Sequence, residues 1–272
     1  MILNFITWDV DPEIFHLGCF SLRWYGTLFT ASFVAGYIIM RKIFEKEGIP
    51  LQLLDRVTWY MIFGTLIGAR LGHCLFYEPE YFLKNPVEIL KTWNGGLASH
   101  GAAIGILMAL YIFSRVERLP YIWILDRMAI VAALSCFFIR VGNLMNSEIF
   151  GHPTALPWGF KFVRASEWYR FPINAQPCHP TQIYEALAYL AAFVWLYLVY
   201  FRRNKKLYPG LLFGIFLVSL FTARFFIEFF KLTQVDFEKG MLLNMGQLLS
   251  IPFILFGIYL LVRRKKSLEL FA

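Results

Sequence analysis

The stretch Phe138–Gly151, FIRVGNLMNSEIFG, places a fixed cation, two amides, a carboxylate and two glycines at the edge of an apolar run. Upstream, Met128–Ile139 carries no charge, and Arg140 follows it directly. Gly142, Asn143, Asn146, Ser147, Glu148 and Gly151 come next. Arginine grips phosphate through a planar, bidentate fork. The amides add neutral donors, and the glycines let backbone come close to a ligand. Related residues recur at Tyr25, Arg70, His100, His179, Tyr184, Arg224 and Glu228. Each has a plainer explanation when taken alone. Arg140 can be a snorkelling boundary arginine, Arg224 and Glu228 a self-neutralising pair one helical turn apart, and His100 a hydrogen-bonded core histidine. Taken together, they suit a phosphate-bearing ligand.

The chain shows no GxSxG elbow, no Ser–His pair at a recognisable spacing, and no HExxH or acidic metal cluster. Any nucleophile must therefore arrive with the substrate or be water, and His100 is the candidate general base. Neither a metal nor a cofactor is expected. The four cysteines, Cys19, Cys74, Cys136 and Cys178, form no CxxC and imply neither a metal site nor a disulfide framework.

The elements that must carry these residues are membrane spans. Of 272 residues, 58% are hydrophobic and 19% aromatic, with a mean hydropathy of +0.57. That composition points to a polytopic membrane protein. A net charge of +8 raises the idea of nucleic acid, but the basic residues lie between apolar spans and not in one patch. No nucleic-acid partner is expected. Seven stretches are long enough to cross a bilayer, near 22–41, 56–77, 96–114, 121–140, 182–201, 209–231 and 242–262. Pro252 should kink the last of these without ending it. The expected fold is therefore all-α, seven transmembrane helices in a single membrane domain over 1–272. Residues 78–95 have the makings of a short interfacial helix. The proline- and tryptophan-rich 141–181 loop should form an ordered external cap. The N-terminal MILNFITWDVDPEIF has neither a basic nor an apolar signal region, so no cleaved signal peptide is expected.

Fifteen of the 26 Lys and Arg residues fall on one side of these spans, which puts the N-terminus outside and the C-terminus in the cytoplasm. In that orientation Arg140 closes span four at the outer face. Arg70 lies about 10 Å below the outer end of span two, and His100 about 6 Å into span three. The polar groups gather in the outer half, where intramembrane charge normally faces a partner or a wet cavity. A phospholipid headgroup is the natural ligand there. A flippase or anion transporter would need polar residues continuing to the cytoplasmic side, and the sequence supplies none. A non-catalytic receptor would not need a histidine among arginines at one depth.

The segments RWYG (23–26), GGLASHGAAIG (95–105), RVGNLMNSEIFG (140–151), HPTQIYE (179–185) and RFFIEFFK (224–231) together resemble bacterial prolipoprotein diacylglyceryl transferases. The stretch at Arg140 is close to the family signature GRxGNFxNxExxG. Ile139 stands where glycine is usual, Leu144 where phenylalanine is frequent, and Ser147 where glycine is frequent. The resemblance implies transfer of the diacylglyceryl group of phosphatidylglycerol to the lipobox cysteine of a prolipoprotein signal peptide, with release of glycerol phosphate. It implies no cofactor and a place in the bacterial inner membrane, with the site facing the outer leaflet. It points to His100, Arg140, Arg224 and Glu228 as catalytic. Tyr25, Arg70, Asn143, Asn146, Glu148, Gly151, His179 and Tyr184 would bind substrate.

The charge bias makes a direct prediction. Single cysteines at Asn4, Asn85 and Trp168 should react with an impermeant thiol reagent in intact cells, and those at Lys46, Asn204 and Lys266 should not. Strong labelling at Asn204 would reverse the orientation.

Overall fold

The computed structural model describes residues 5–18, 20–92, 95–165, 176–203, 207–232 and 241–263. Asn4, Cys19, Trp168, Asn204 and Lys266 lie outside the described residues. The apolar runs fold into helices α1 (Trp24–Glu47), α2 (Leu51–Phe76), α4 (Ser99–Val116), α5 (Tyr121–Met145), α6 (Thr181–Arg203), α7 (Leu211–Ile227) and α8 (Met245–Val262). A short α3 (Pro79–Lys84) and a 3-10 turn (Pro86–Leu90) occupy the stretch where an interfacial helix was expected, each with proline in its first turn. Strands β1 (Ile6–Trp8), β2 (Glu13–Leu17), β3 (Phe20–Arg23) and β4 (Phe160–Phe162) and a second 3-10 turn (Glu228–Phe230) complete the described elements.

Six helices, α1 and α4 to α8, are long and apolar enough to cross a membrane, so the protein is a multi-pass membrane protein. The 26-residue α2 has the length, but Asp55, Arg56, Arg70 and His73 dilute its apolar character. Several boundaries differ from the sequence expectation: α1 runs on to Glu47, α2 begins at Leu51, and two differences bear on the site. The helix carrying Arg140 does not stop there but runs on to Met145. Polar side chains do not end a helix while its backbone remains paired, and here Asn146 N still donates to Gly142 O at 3.0 Å. In contrast, α7 stops early, at Ile227, and yields to a 3-10 turn over Glu228–Phe230. Pro252 lies within α8, which continues past it to Val262.

The chain divides into two compact units, residues 1–36 with 126–272, and residues 37–125. The second unit rests on a row of small residues. Gly64, Gly68 and Gly72 recur every fourth residue on α2 and meet Ala109, Gly105 and Gly101 of α4 in antiparallel order. A Cβ on Gly72 would fall 2.6 Å from the Gly101 Cα, so the two backbones touch. Lipid offers no hydrophobic drive for helix association, and close backbone contact of this kind supplies dispersion energy in its place.

In the first unit, α7 starts at Gly210, with φ of +91° and no cap from its own side chain. Asp126 of α5 caps it from another helix, accepting from Gly210 N at 2.7 Å and Phe213 N at 2.8 Å. Helices α7 and α8 approach closely at Gly214 and Gly257. Outside the spans, β1 pairs in parallel with β4, Ile6 opposite Phe160. Leu144, Phe150, Phe160, Phe162 and Cys178 form a small core behind this pair. Trp8 Nε1 donates to Leu144 O at 3.0 Å, so the N-terminal arm braces the end of α5.

Gly68→Val should separate α2 from α4, because a Cβ placed 2.7 Å from the Gly105 Cα meets backbone that cannot rotate aside. The expected loss is at least about 1–3 kcal/mol, read as a lower Tm in detergent. Gly26→Ala, where a Cβ would meet nothing within 4 Å, should not destabilise.

Candidate active site

Glu185 lies one turn into α6 with no solvent exposure. A carboxylate taken out of water is costly unless it is paired and hydrogen-bonded. Three groups meet it. Arg140 Nε stands 3.0 Å from Oε2, while Lys231 Nζ and Tyr189 OH donate to Oε1 at 2.9 and 3.2 Å. Lys231 also reaches Glu228 Oε2 at 3.1 Å. The carboxylate of Glu228 occupies the space a Gly246 side chain would take, at the start of α8, where unpaired N–H groups favour an anion. Asn244 and Gln247 close a capping box at that helix start.

The same chain of contacts extends outward from Arg140. Its NH1 donates to Asn143 Oδ1 at 3.2 Å, and Asn143 Nδ2 donates to Glu148 Oε1 at 2.7 Å. Asn146 Nδ2 reaches the same oxygen at 3.3 Å. Glu228, Lys231, Glu185, Arg140, Asn143 and Glu148 thus form one continuous polar relay. Gly142 carries no Cβ because the Tyr25 ring lies where one would be, and Tyr25 is within electrostatic reach of Arg140 and Glu148.

Glu148 sits in a strained turn. Ser147 and Ile149, on either side of it, have φ of +52° and +59°, a region that side chains other than glycine rarely adopt, β-branched ones least of all. Ser147 is fully buried, and its hydroxyl has no hydrogen-bond partner among the described residues. The turn is tied from α6. Thr181 Oγ1 donates to Ile149 O at 2.8 Å and Gln182 Nε2 to Glu148 O at 2.7 Å. Gly151 N then donates to His179 O at 2.8 Å, in a crowded position where a Cβ would strike His179 and Thr181.

His179 and Tyr184 belong to a neighbouring aromatic group. Trp158 Nε1 donates to Tyr184 OH at 3.0 Å, and that hydroxyl lies 3.2 Å from His179 Nδ1. Burial, helped by nearby His152, lowers the His179 pKa below the usual histidine value and keeps the ring neutral at pH 7. Its ring packs 5.2 Å from that of Phe230.

Arg224, in the last turn of α7, is half-buried and within electrostatic reach of Glu185. The expected pair with Glu228 does not form. Glu228 N–H still donates to Arg224 O, so the two residues stay one α-turn apart, but the Glu228 carboxylate pairs with Lys231 instead. Among the described residues Arg224 makes no ion pair.

Arg70 and His100 belong to the 37–125 unit. Arg70 is spent on backbone. It donates to Glu88 O at 2.6 Å, Ile89 O at 2.9 Å, Gly95 O at 2.5 Å and Gly96 O at 3.2 Å, with the Phe82 ring 5.0 Å beneath. His100 is exposed in the first turn of α4.

Sequence reasoning did not single out Glu185, Lys231, Gln182 or Trp158. The available signal was a carboxylate inside an apolar helix, which requires a cation, with Lys231 three residues beyond Glu228. Among the described residues no three His, Cys, Asp or Glu side chains gather as a metal site.

Glu185→Gln should leave Arg140 without its carboxylate and Lys231 with Glu228 alone, and lower stability by about 3–5 kcal/mol. Glu228→Gln should cost less, because Lys231 keeps Glu185. Thermal unfolding in detergent separates the two.

Comparison with known proteins bears on the same residues. The family model described as prolipoprotein diacylglyceryl transferase matches residues 12–263. A Porphyromonas gingivalis protein named phosphatidylglycerol–prolipoprotein diacylglyceryl transferase is 47% identical over 271 residues, covering 97% of this chain and 96% of its own. Proteins of the same name from Tolumonas auensis (47% identical, 96% and 98% covered) and Chloroherpeton thalassium (44% identical, 98% and 97% covered) match as fully. With its relay running through the matched segment, this chain belongs to the prolipoprotein diacylglyceryl transferase family.

Proposed function

We propose that this chain transfers the diacylglyceryl group of phosphatidylglycerol to the lipobox cysteine of a prolipoprotein, forming a thioether and releasing glycerol phosphate. The names of its relatives support the substrates. The observation that carries the chemistry is the sharing of Lys231 between Glu185 and Glu228. One ammonium serves two carboxylates, and Arg224 is left with no ion pair among the described residues. A guanidinium of that kind within a span calls for an anionic ligand.

In this reading the lipid phosphate is held by Arg224 and by the part of the Arg140 fork not engaged by Glu185 and Asn143. The cysteine sulfur forms a C–S bond to the glyceryl carbon as the C–O bond to phosphate breaks, and the two arginines stabilise the charge on the departing phosphate. Glu148, with Oε1 occupied by Asn143 and Asn146, offers Oε2 to a headgroup hydroxyl. Tyr25, Gly151, His179 and Tyr184 line the approach, and His100 takes the thiol proton. Arg70 contributes by shaping the 86–96 segment that leads into α4. The chain acts as one membrane domain in the bacterial inner membrane, with the N-terminus outside, the C-terminus in the cytoplasm and the 141–181 cap on the outer face. A flippase reading draws no support from the relay, which ends in ordered caps at α8 and at the 146–149 turn.

Glycerol phosphate release from phosphatidylglycerol and a lipobox peptide tests the proposal, and no release by the purified protein would end it. Arg140→Lys should remain folded yet lose most transfer, because the ammonium keeps the charge but not the fork. His100→Gln should lower turnover about 10²–10⁴-fold, and near wild-type rates across pH 6–8 would remove His100 as the base.

A further inference from the structure

We infer that Thr181 and Gln182 are positioning residues for the transfer reaction: they hold the strained 147–149 turn, and through it the Glu148 carboxylate, in register with Asn143 and Arg140. The inference rests on the proposed transfer, but the geometry behind it is independent. Both side chains are fully buried, and both donate to carbonyls of the turn, Gln182 Nε2 to Glu148 O at 2.7 Å and Thr181 Oγ1 to Ile149 O at 2.8 Å. Two left-handed residues that are not glycine, Ser147 and Ile149, flank the carboxylate being positioned.

Gln182 makes the case for a role beyond filling space. Its Oε1 is buried without a hydrogen-bond partner among the described residues. A position wanted only for packing is better filled by an aliphatic side chain, which brings no unpaired acceptor. The amide is retained for its one donated bond, and that bond goes to the Glu148 main chain. Thr181 adds a second tie at the adjacent carbonyl, while its methyl lies against the space above Gly151. Without these ties the backbone can relax toward ordinary φ values, swinging the Glu148 carboxylate off the two amides that orient it. Misplacement of about 1 Å at a reacting centre costs up to about 10²-fold in rate.

The test uses purified full-length protein with phosphatidylglycerol micelles and a lipobox peptide. Hydrogen–deuterium exchange is followed over the 141–151 segment. Gln182→Met and Thr181→Val remove one donor each at nearly constant volume, and Thr181→Ser keeps the hydroxyl. We expect Gln182→Met and Thr181→Val to exchange faster in 141–151 and to lose about 10–100-fold in kcat, with KM within about twofold and Tm little changed. Thr181→Ser should stay close to wild type. Ser147→Gly, which removes the left-handed penalty at its source, should restore much of the kcat lost in Gln182→Met. A purely structural glutamine would give no such rescue. The inference falls if exchange in 141–151 is unchanged, if turnover survives faster exchange, or if lost kcat follows lost folded protein with no recovery from Ser147→Gly. Absence of transfer by the wild-type protein would sink the proposed function, whereas the exchange data would still decide whether the ties hold the turn.

Discussion

One fully buried carboxylate, Glu185, sets the terms for the polar relay of the 1–36/126–272 unit. In a low-dielectric interior an anion without partners is untenable, and an anion with one partner still leaves lone pairs to satisfy. Glu185 gathers Arg140 from α5, Lys231 from beyond α7 and Tyr189 from its own helix. Each partner is fixed in turn by something else: Arg140 by Asn143, and Lys231 by Glu228. The alternation of sign along the relay lets several charges share a small apolar space. A buried ion network adds little net stability over a hydrophobic one. Its persistence here is consistent with a demand for fixed guanidinium geometry.

The turn after α5 shows the opposite economy. It stores strain at Ser147 and Ile149, and among the described residues its Ser147 hydroxyl and the oxygen of the Gln182 amide that ties it are buried and unpaired. Left-handed φ at residues other than glycine costs about 1–2 kcal/mol each. Neighbouring elements over-determine the turn: Trp8 at Leu144 O, the α6 ties, and the bridge between Gly151 and Lys231. Arg70 makes a useful contrast. The same residue type, on α2 of the other unit, has its donors spent on four carbonyls and acts as a staple for its own loop.

The spans were legible in the sequence because hydropathy and loop charge follow from the cost of burying polar groups in lipid. Their ends were less so. Arg140 looked terminal because charge tends to mark a boundary, yet α5 continues while its peptide groups remain paired. Arg224 and Glu228 keep the spacing of an ion pair, yet the acid turns to Lys231, three residues beyond it, because spacing allows a pair without choosing among competing cations. Glu185 and Lys231 are 46 residues apart, so no local pattern links them. The acceptors of Arg70 are main-chain carbonyls, which no side-chain motif can announce. Ser147, in contrast, was visible as a departure from glycine, and its φ of +52° supplies the reason glycine suits the position. The four-residue rhythm of Gly64, Gly68 and Gly72 also lay in the sequence, but it acquires meaning only beside Gly101 and Gly105.

The parallel pairing of β1 with β4 carries a topological consequence. Hydrogen-bonded strands outside the spans must share one side of the bilayer, so the chain between Trp8 and Phe160 has to cross it an even number of times. Three helices in that interval, α1, α4 and α5, qualify as spans on apolar character alone. Parity therefore requires a fourth crossing, and α2, with 26 residues, is the remaining helix long enough to make it. Three ladder positions near the N-terminus thus count the helix that hydropathy leaves out, and bring the total of crossings to seven.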